Sequence, residues 1–144
     1  MDPATYSGPI VVTALYFGLW YSLLFGLQSR TKYRLLAEYA DRGEAFDRYF
    51  GRDGRMLAAD RAVANTHEQM VPFLTTLWLH AIYLSPARAA ALGLVYVALR
   101  ALYPALIGRR VSRTQPKRVV AVTAPCYAIV AYLGGHVAWA AVAG

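Results

Sequence analysis

The stretch that decides the fold is Arg61-Ala-Val-Ala-Asn-Thr-His-Glu-Gln-Met-Val-Pro-Phe73, which opens one of the longest apolar runs of the chain. Within it, Arg61, Asn65, Glu68 and Pro72 follow one another at spacings of four, three and four residues. That spacing places them on a single face of a helix. A cation, an amide and a carboxylate are costly in hydrocarbon, so such side chains normally face a bundle interior or a cavity and mark a functional site.

The composition is that of a membrane protein. Of the 144 residues, 58% are hydrophobic and only 16% are charged, and the mean hydropathy is +0.33. A soluble domain of this length is normally more polar, and the length fits a single domain. The only cysteine, Cys126, lies inside an apolar run, so no intrachain disulfide is possible.

Four apolar stretches predict four membrane-spanning helices, over residues 10–28, 58–84, 87–107 and 119–142. A bilayer requires about 20 apolar residues per span. We therefore expect an all-α, integral membrane, four-helix up-down-up-down bundle that forms one domain over residues 1–144. A short amphipathic helix is predicted over residues 37–49, and Ser85-Pro86 predicts a tight turn.

The distribution of cations predicts the orientation of the bundle. Of 15 Lys and Arg residues, eight lie in residues 28–61 and five in residues 109–118. The positive-inside rule then places the loops 29–57 and 108–118 in the cytoplasm, and both termini on the other side. The N-terminus lacks a basic region before its apolar run, so we expect it to remain uncleaved. Nucleic-acid binding is disfavoured because the cations cluster between hydrophobic spans.

A second polar stripe lies on the third span, where Tyr96, Arg100 and Tyr103 share one helical face. Topology places this stripe at a depth similar to that of the first. Pro72 and Pro104 cannot donate to the carbonyls of the residues four positions earlier, which leaves bare carbonyls beside charged side chains. The two stripes together predict an aqueous pocket that is open to the cytoplasm.

The chemistry of this pocket favours a small zwitterionic peptide with more than one carboxylate. Arginines bind carboxylates through bidentate hydrogen bonds, and Glu68 can accept an amine or pair with Arg100. The sequence contains no nucleophilic triad and no glycine-rich phosphate loop. Its three histidines have no metal-ligand spacing, so we expect no metal site. An alternative interpretation remains open at this point, in which the stripes are an ion-pair network that holds helices or protomers together.

The motif on the second span resembles that of the MAPEG family, the membrane-associated proteins in eicosanoid and glutathione metabolism. The family pattern R-x-x-x-N-x-x-E-x-x-x-P is matched by Arg61, Asn65, Glu68 and Pro72. Two stretches resemble the third-helix signature of the family: Gly93-Leu-Val-Tyr96 and Arg100-Ala-Leu-Tyr103-Pro104. The long first loop and the basic second loop also agree, so the resemblance covers most of the chain.

The resemblance implies a homotrimer that binds glutathione, or another low-molecular-weight thiol, between neighbouring protomers. The residues implied to line the thiol-peptide site are Arg61, Asn65, Glu68, Arg100 and Tyr103. Arg30 or Arg34 is implied to meet a carboxylate of the peptide. Arg113, or alternatively Arg110, is implied to activate the thiol. Gln69 and Ile107 stand where some members of the family carry tyrosines.

The resemblance implies a membrane-bound, glutathione-dependent transferase or peroxidase that directs a thiolate at a lipophilic electrophile or hydroperoxide. A non-catalytic, lipid-binding scaffold of the same fold is the alternative. A third hypothesis is a structural oligomer whose polar stripes only hold helices together. The expected partners are further copies of the chain, membrane lipid and a lipophilic small-molecule substrate. The expected location is a bacterial inner membrane, which the chain crosses several times.

Overall fold

The computed structural model describes residues 3–108 and 117–144, and all the regular elements of this part of the chain are helical. A π-helical segment, Ser22–Ser29, continues the first of six α-helices. In chain order, the α-helices are α1 (Ser7–Tyr21), α2 (Arg30–Asp41), α3 (Gly54–Glu68), α4 (Met70–Tyr83), α5 (Pro86–Ile107) and α6 (Lys117–Ala143).

The first helix continues well beyond the predicted span. α1, the π-helical segment and α2 form one run of 35 residues, Ser7–Asp41, which is about 50 Å long and exceeds the roughly 30 Å of bilayer hydrocarbon. Residues 30–41 contain neither Gly nor Pro, and Thr31 and Leu35 are buried. The predicted helix over residues 37–49 is therefore wrong. α2 ends at Asp41, and Gly43 follows it in the left-handed region with φ 69°.

The predicted second span is divided into two helices. α3 ends at Glu68 and α4 begins at Met70, with Gln69 as a turn between them. Pro72 has no N–H to donate to the Glu68 carbonyl, so the helical ladder lacks a bond at this point. α3 begins at Gly54, four residues before the predicted membrane span, because the Asp53 side chain accepts a hydrogen bond from the Arg55 N–H at 2.8 Å and caps the helix.

α5 packs against α1, α4 and α6. Ser85 caps it by accepting a hydrogen bond from the Arg88 N–H at 3.2 Å, and Pro86 occupies its first turn, so the predicted turn at this place is confirmed. Further along α5, the Tyr96 ring stacks on Phe73 of α4 at 3.8 Å between ring centroids. Tyr16 of α1 lies 5.2 Å from Phe73, so aromatic packing joins α1, α4 and α5.

Three helices in the described part of the chain are long and apolar enough to cross a membrane. They are Ser7–Asp41, Pro86–Ile107 and Lys117–Ala143. Many of their large apolar side chains point outward, among them Ile10, Val11, Phe17, Phe25, Leu94, Leu102 and Tyr127. In a membrane, these side chains face lipid or other apolar surfaces rather than water.

The cations define one end of the molecule, here named the basic end. It contains α2, the segment 42–53, the start of α3, the end of α5 and the start of α6. The turn between α4 and α5 lies at the opposite end. Both polar stripes lie near the basic end, because the chain runs away from this end along α3 and returns towards it along α5.

Candidate functional site

The centre of the candidate site is Arg100, whose side chain is fully buried. Its Nη2 donates to both the backbone oxygen and the side-chain Oδ1 of Asn65, each at 2.7 Å. The guanidinium carbon also lies 5.2 Å from the centre of the Tyr103 ring. The predicted convergence of the two stripes is therefore present between α3 and α5.

Arg100 carries hydrogen-bonding capacity that its neighbours leave unused. Within the described part of the chain, its buried Nε and Nη1 atoms have no hydrogen-bond partner, and no carboxylate forms an ion pair with it. A buried cation without a counter-charge is unfavourable. An anionic group that accepts from these two atoms would supply the missing charge and the missing hydrogen bonds.

Arg61 and Glu68 complete the set at the surface of the chain. Both side chains lie within electrostatic range of the Tyr103 hydroxyl, as Arg100 does. Both residues are exposed, whereas Asn65 is half-buried and Tyr103 is buried. One face of the helical bundle thus presents a cation and a carboxylate near a buried arginine. Charged groups at this depth of a membrane protein normally face protein or a water-filled cavity rather than lipid.

Arg30 and Arg34 lie in a different place from the other predicted residues. They line an open cleft of about 700 Å³ at the basic end, between α2, α3 and the end of α5. The volume lies within the range of about 300–1,000 Å³ that is typical of small-molecule sites. The cleft is lined by Gly26, Leu27, Arg30, Thr31, Arg34, Arg55, Ala58, Ala59, Pro104, Ala105, Ile107 and Gly108. The lining includes neither Arg100 nor any of Arg61, Asn65, Glu68 and Tyr103.

Arg55 is a third arginine of this cleft that the sequence did not single out. Its guanidinium pairs with Asp53, at 2.9 Å from Nη2 to Oδ2, and with Glu38 of α2. Hydrogen bonds from the Arg55 side chain hold the pKa of Asp53 well below its ordinary value of 3.8. The pairing fixes the Arg55 side chain, so the cleft is lined by an arginine in a defined position together with apolar side chains.

The predicted thiol-activating residues, Arg113 and Arg110, lie outside the described residues. Of the same basic loop, Lys117 and Arg118 begin α6. A guanidinium nitrogen of Arg118 lies 3.4 Å from the place where a Cβ on Gly108 would stand, and Gly108 lines the cleft. Arg118 therefore brings a further cation to the basic end.

Two of the histidines come together although they are far apart in the sequence. His80 Nε2 of α4 lies 3.3 Å from His136 Nδ1 of α6. The His80 side chain is fully buried. A separation of 56 residues gives no periodic signal, so only the packing of α4 on α6 shows the pair. It lies towards the end opposite to Arg100 and links two helices.

Comparisons with known proteins agree with the resemblance drawn from the motifs. The family model described as MAPEG matches residues 9–139. An uncharacterized protein of Synechocystis is 35% identical over 96 residues, which cover 66% of this chain and 63% of that relative. No solved structure gives a significant match. The family match spans the helices that carry both polar stripes, and the chain therefore belongs to the MAPEG family.

Proposed function

We propose that the chain is a membrane-bound, glutathione-dependent transferase or peroxidase. Membership of the MAPEG family supports a glutathione-related function of this general kind. The observation that carries the proposal is the buried Arg100. Asn65 holds its Nη2 atom, whereas Nε and Nη1 have no hydrogen-bond partner in the described part of the chain. Donors of this type fit the carboxylates of glutathione or of another low-molecular-weight thiol peptide.

The residues around Arg100 have complementary roles in the proposed site. Arg100 and Arg61 bind carboxylates, and the Asn65 side chain orients the Arg100 guanidinium through the 2.7 Å hydrogen bond. The Glu68 carboxylate accepts hydrogen bonds from the amino group of the peptide. Tyr103 packs against Arg100 and closes one side of the site. These groups bind the peptide portion and hold its thiol near the boundary between α5 and α6.

Thiol activation in this proposal is electrostatic. A free cysteine thiol has a pKa of about 8.5, and an adjacent guanidinium favours the thiolate at neutral pH. Arg113, or alternatively Arg110, supplies that guanidinium. The thiolate forms a bond to an electrophilic carbon as a leaving group departs with its electron pair. With a hydroperoxide, two thiols are oxidised to a disulfide while the hydroperoxide is reduced to an alcohol and water.

The exposed positions of Arg61 and Glu68 support a site that neighbouring protomers complete. A homotrimer of four-span protomers would cover this charged face and would leave a path for a lipophilic substrate from the bilayer. The basic end would then lie on the cytoplasmic side of a bacterial inner membrane, with both termini on the other side. The consecutive helices α3 and α4 would together form the second of the four spans.

The test is conjugation of glutathione to chlorodinitrobenzene, and reduction of a lipid hydroperoxide, by the purified protein in detergent. Turnover that is lost in Arg113→Ala or Arg110→Ala, and retained in the matched control Arg88→Ala, supports the proposal. Arg88 is exposed and lies at the opposite end of α5. If the protein shows neither turnover nor thiol binding, the proposal is contradicted.

A non-catalytic lipid-binding scaffold is the second candidate, and the cleft at the basic end favours it. Arg30, Arg34 and Arg55 line this cleft together with Leu27 and Ile107, a combination that suits an anionic amphiphile. Mass spectrometry of the purified protein should then detect a retained lipid that is lost in Arg30→Ala. Thiol turnover would count against this candidate.

A further inference from the structure

The segment between α2 and α3 presents two adjacent aromatic side chains to its surroundings. Tyr49 is 85% exposed and Phe50 is 89% exposed. Neighbouring apolar side chains that are this exposed commonly mark a surface that contacts another molecule or a membrane. The proposed thiol site does not involve either residue, so the question of what covers them is separate from catalysis.

Local hydrogen bonds fix the backbone that carries the pair. The Asp47 Oδ1 atom accepts the N–H groups of Tyr49 at 3.0 Å and of Phe50 at 2.8 Å. Such a turn, closed by an aspartate side chain, defines the directions of the two following residues. Phe46, just before the turn, packs against Tyr39 of α2 with 5.3 Å between ring centroids. The two rings are therefore exposed at the tip of an ordered segment.

An ion pair sets the level of this tip along the helices. Arg48 donates to both carboxylate oxygens of Asp60 in α3, at 3.0 and 2.9 Å. The same Asp60 accepts a hydrogen bond from Gln28 at 2.7 Å. Gln28 lies near the end of the uncharged run of the first helix, and the first cation, Arg30, follows two residues later. The Arg48 guanidinium thus reaches the level at which the first helix leaves the hydrocarbon, and Tyr49 and Phe50 directly follow Arg48 in the chain.

Charge complementarity identifies the partner. Arg52 stands two residues after Phe50 and is exposed, as Arg30 is. Cations beside aromatic rings, at the level where an apolar helix run ends, match the boundary layer of a bilayer. There, lipid phosphates lie next to the upper part of the acyl chains, and tyrosine is enriched in membrane proteins at this depth.

We infer that Tyr49 and Phe50 insert into the headgroup–acyl boundary of the surrounding bilayer and hold the segment 42–53 on the membrane surface. The Asp47 turn directs the rings, and the Arg48–Asp60 pair sets their depth. Arg52 meets the phosphate layer. The segment is then a lipid contact of the protein rather than a solvated loop.

The experiment uses a nitroxide spin label on Phe50→Cys in vesicles of phosphatidylcholine and phosphatidylglycerol. Collision rates with oxygen and with a water-soluble nickel chelate report the depth of the label. The wild-type chain is the labelling control, because Cys126 is fully buried. Ala40→Cys is the matched position, because Ala40 is exposed on α2 and lies about 15 Å beyond the end of the uncharged run.

The inference predicts an oxygen-to-nickel collision ratio several-fold higher at position 50 than at position 40. Tyr49→Cys should give a similarly raised ratio, so the result does not depend on one labelled variant. Arg48→Ala in the Phe50→Cys chain should lower the ratio. A ratio at position 50 equal to that at position 40 overturns the inference. A label that neither reagent reaches also overturns it, since protein would then cover the pair. An unchanged ratio in Arg48→Ala contradicts the role of the ion pair.

Discussion

Arg100 donates two hydrogen bonds of 2.7 Å to Asn65, one to its backbone oxygen and one to its side-chain oxygen. The relationship joins α3 to α5 across 35 residues of sequence and holds a fully buried guanidinium. Asn65 is neutral, so it orients Arg100 without neutralising it. The positive charge therefore remains for an anionic ligand to compensate.

Asn65→Asp should stabilise the protein and weaken the binding of a thiol peptide. A carboxylate at this position pairs with Arg100, so the midpoint of thermal unfolding in detergent should rise. The affinity for glutathione should fall at least about tenfold, which corresponds to about 1.4 kcal/mol. Asn65→Ala is the control, because it removes the hydrogen bond without adding charge and should lower the midpoint. An Asn65→Asp chain with unchanged affinity would mean that Arg100 does not bind the ligand.

Gly93→Ala should destabilise the bundle. A Cβ at this position would stand 2.7 Å from Val12 Cγ1 and 2.9 Å from Leu77 Cδ1, which means that α1 and α4 approach α5 closely there. Overpacking of this kind should lower the free energy of unfolding by about 1–3 kcal/mol. Gly135→Ala is the matched control, because its added Cβ would meet no atom of the described chain within 4 Å beyond its own stretch of helix. Equal unfolding midpoints for the two variants would contradict the close approach.

Tyr16→Phe should also destabilise the protein. The Tyr16 hydroxyl donates to the Thr66 carbonyl at 2.6 Å, close to the end of α3, where helix carbonyls lack partners within the helix. Loss of this buried hydrogen bond should lower the free energy of unfolding by about 1–3 kcal/mol. Chemical unfolding in detergent measures the change. Tyr21→Phe should have little effect, since Tyr21 is exposed, and a similar loss in both variants would argue against this role of the hydroxyl.

Asp53→Asn should have an effect that depends on pH. The pKa of Asp53 is lowered in the folded protein, chiefly by hydrogen bonds from the Arg55 side chain. Its charge therefore stabilises the fold above the ordinary pKa of 3.8, and this contribution is lost as the pH falls towards the folded-state value. Near neutral pH, the variant should be less stable by about 1 kcal/mol.

Unfolding of the wild type and of Asp53→Asn, compared from neutral to acidic pH, measures this contribution. The difference between their free energies of unfolding should shrink below about pH 4. Asp41→Asn is the control. Asp41 is exposed and is not among the contacts of Asp53, so its replacement should leave stability unchanged. A difference that stays constant with pH would contradict the electrostatic origin.

The sequence predicted those features that depend on local periodicity. The apolar runs located α5 and α6 to within a few residues. The spacing of Arg61, Asn65 and Glu68 predicted one shared helical face, and the topology predicted that Arg100 lies at a similar depth. The Ser85-Pro86 turn was also confirmed, because capping and proline geometry are local properties.

Features that depend on tertiary contacts were not predictable in the same way. The first helix continues to Asp41, where the buried side chains of Thr31 and Leu35 pack against the rest of the protein. A break at Gln69 divides the second span into α3 and α4. The place of Arg55 in the cleft depends on Asp53 and Glu38, which lie on either side of an irregular segment. The approach of His80 to His136 depends on the packing of two distant helices, which no short pattern encodes.

The most direct test of the central claim is calorimetric titration of glutathione into the detergent-solubilised protein, alongside Glu68→Gln and the control Arg88→Gln. We expect saturable binding to the wild type and to Arg88→Gln. In Glu68→Gln, we expect an affinity at least about tenfold weaker, with the oligomeric state unchanged. If neither glutathione nor another low-molecular-weight thiol binds, or if Glu68→Gln dissociates the oligomer at unchanged affinity, the polar cluster around Arg100 is not a thiol site.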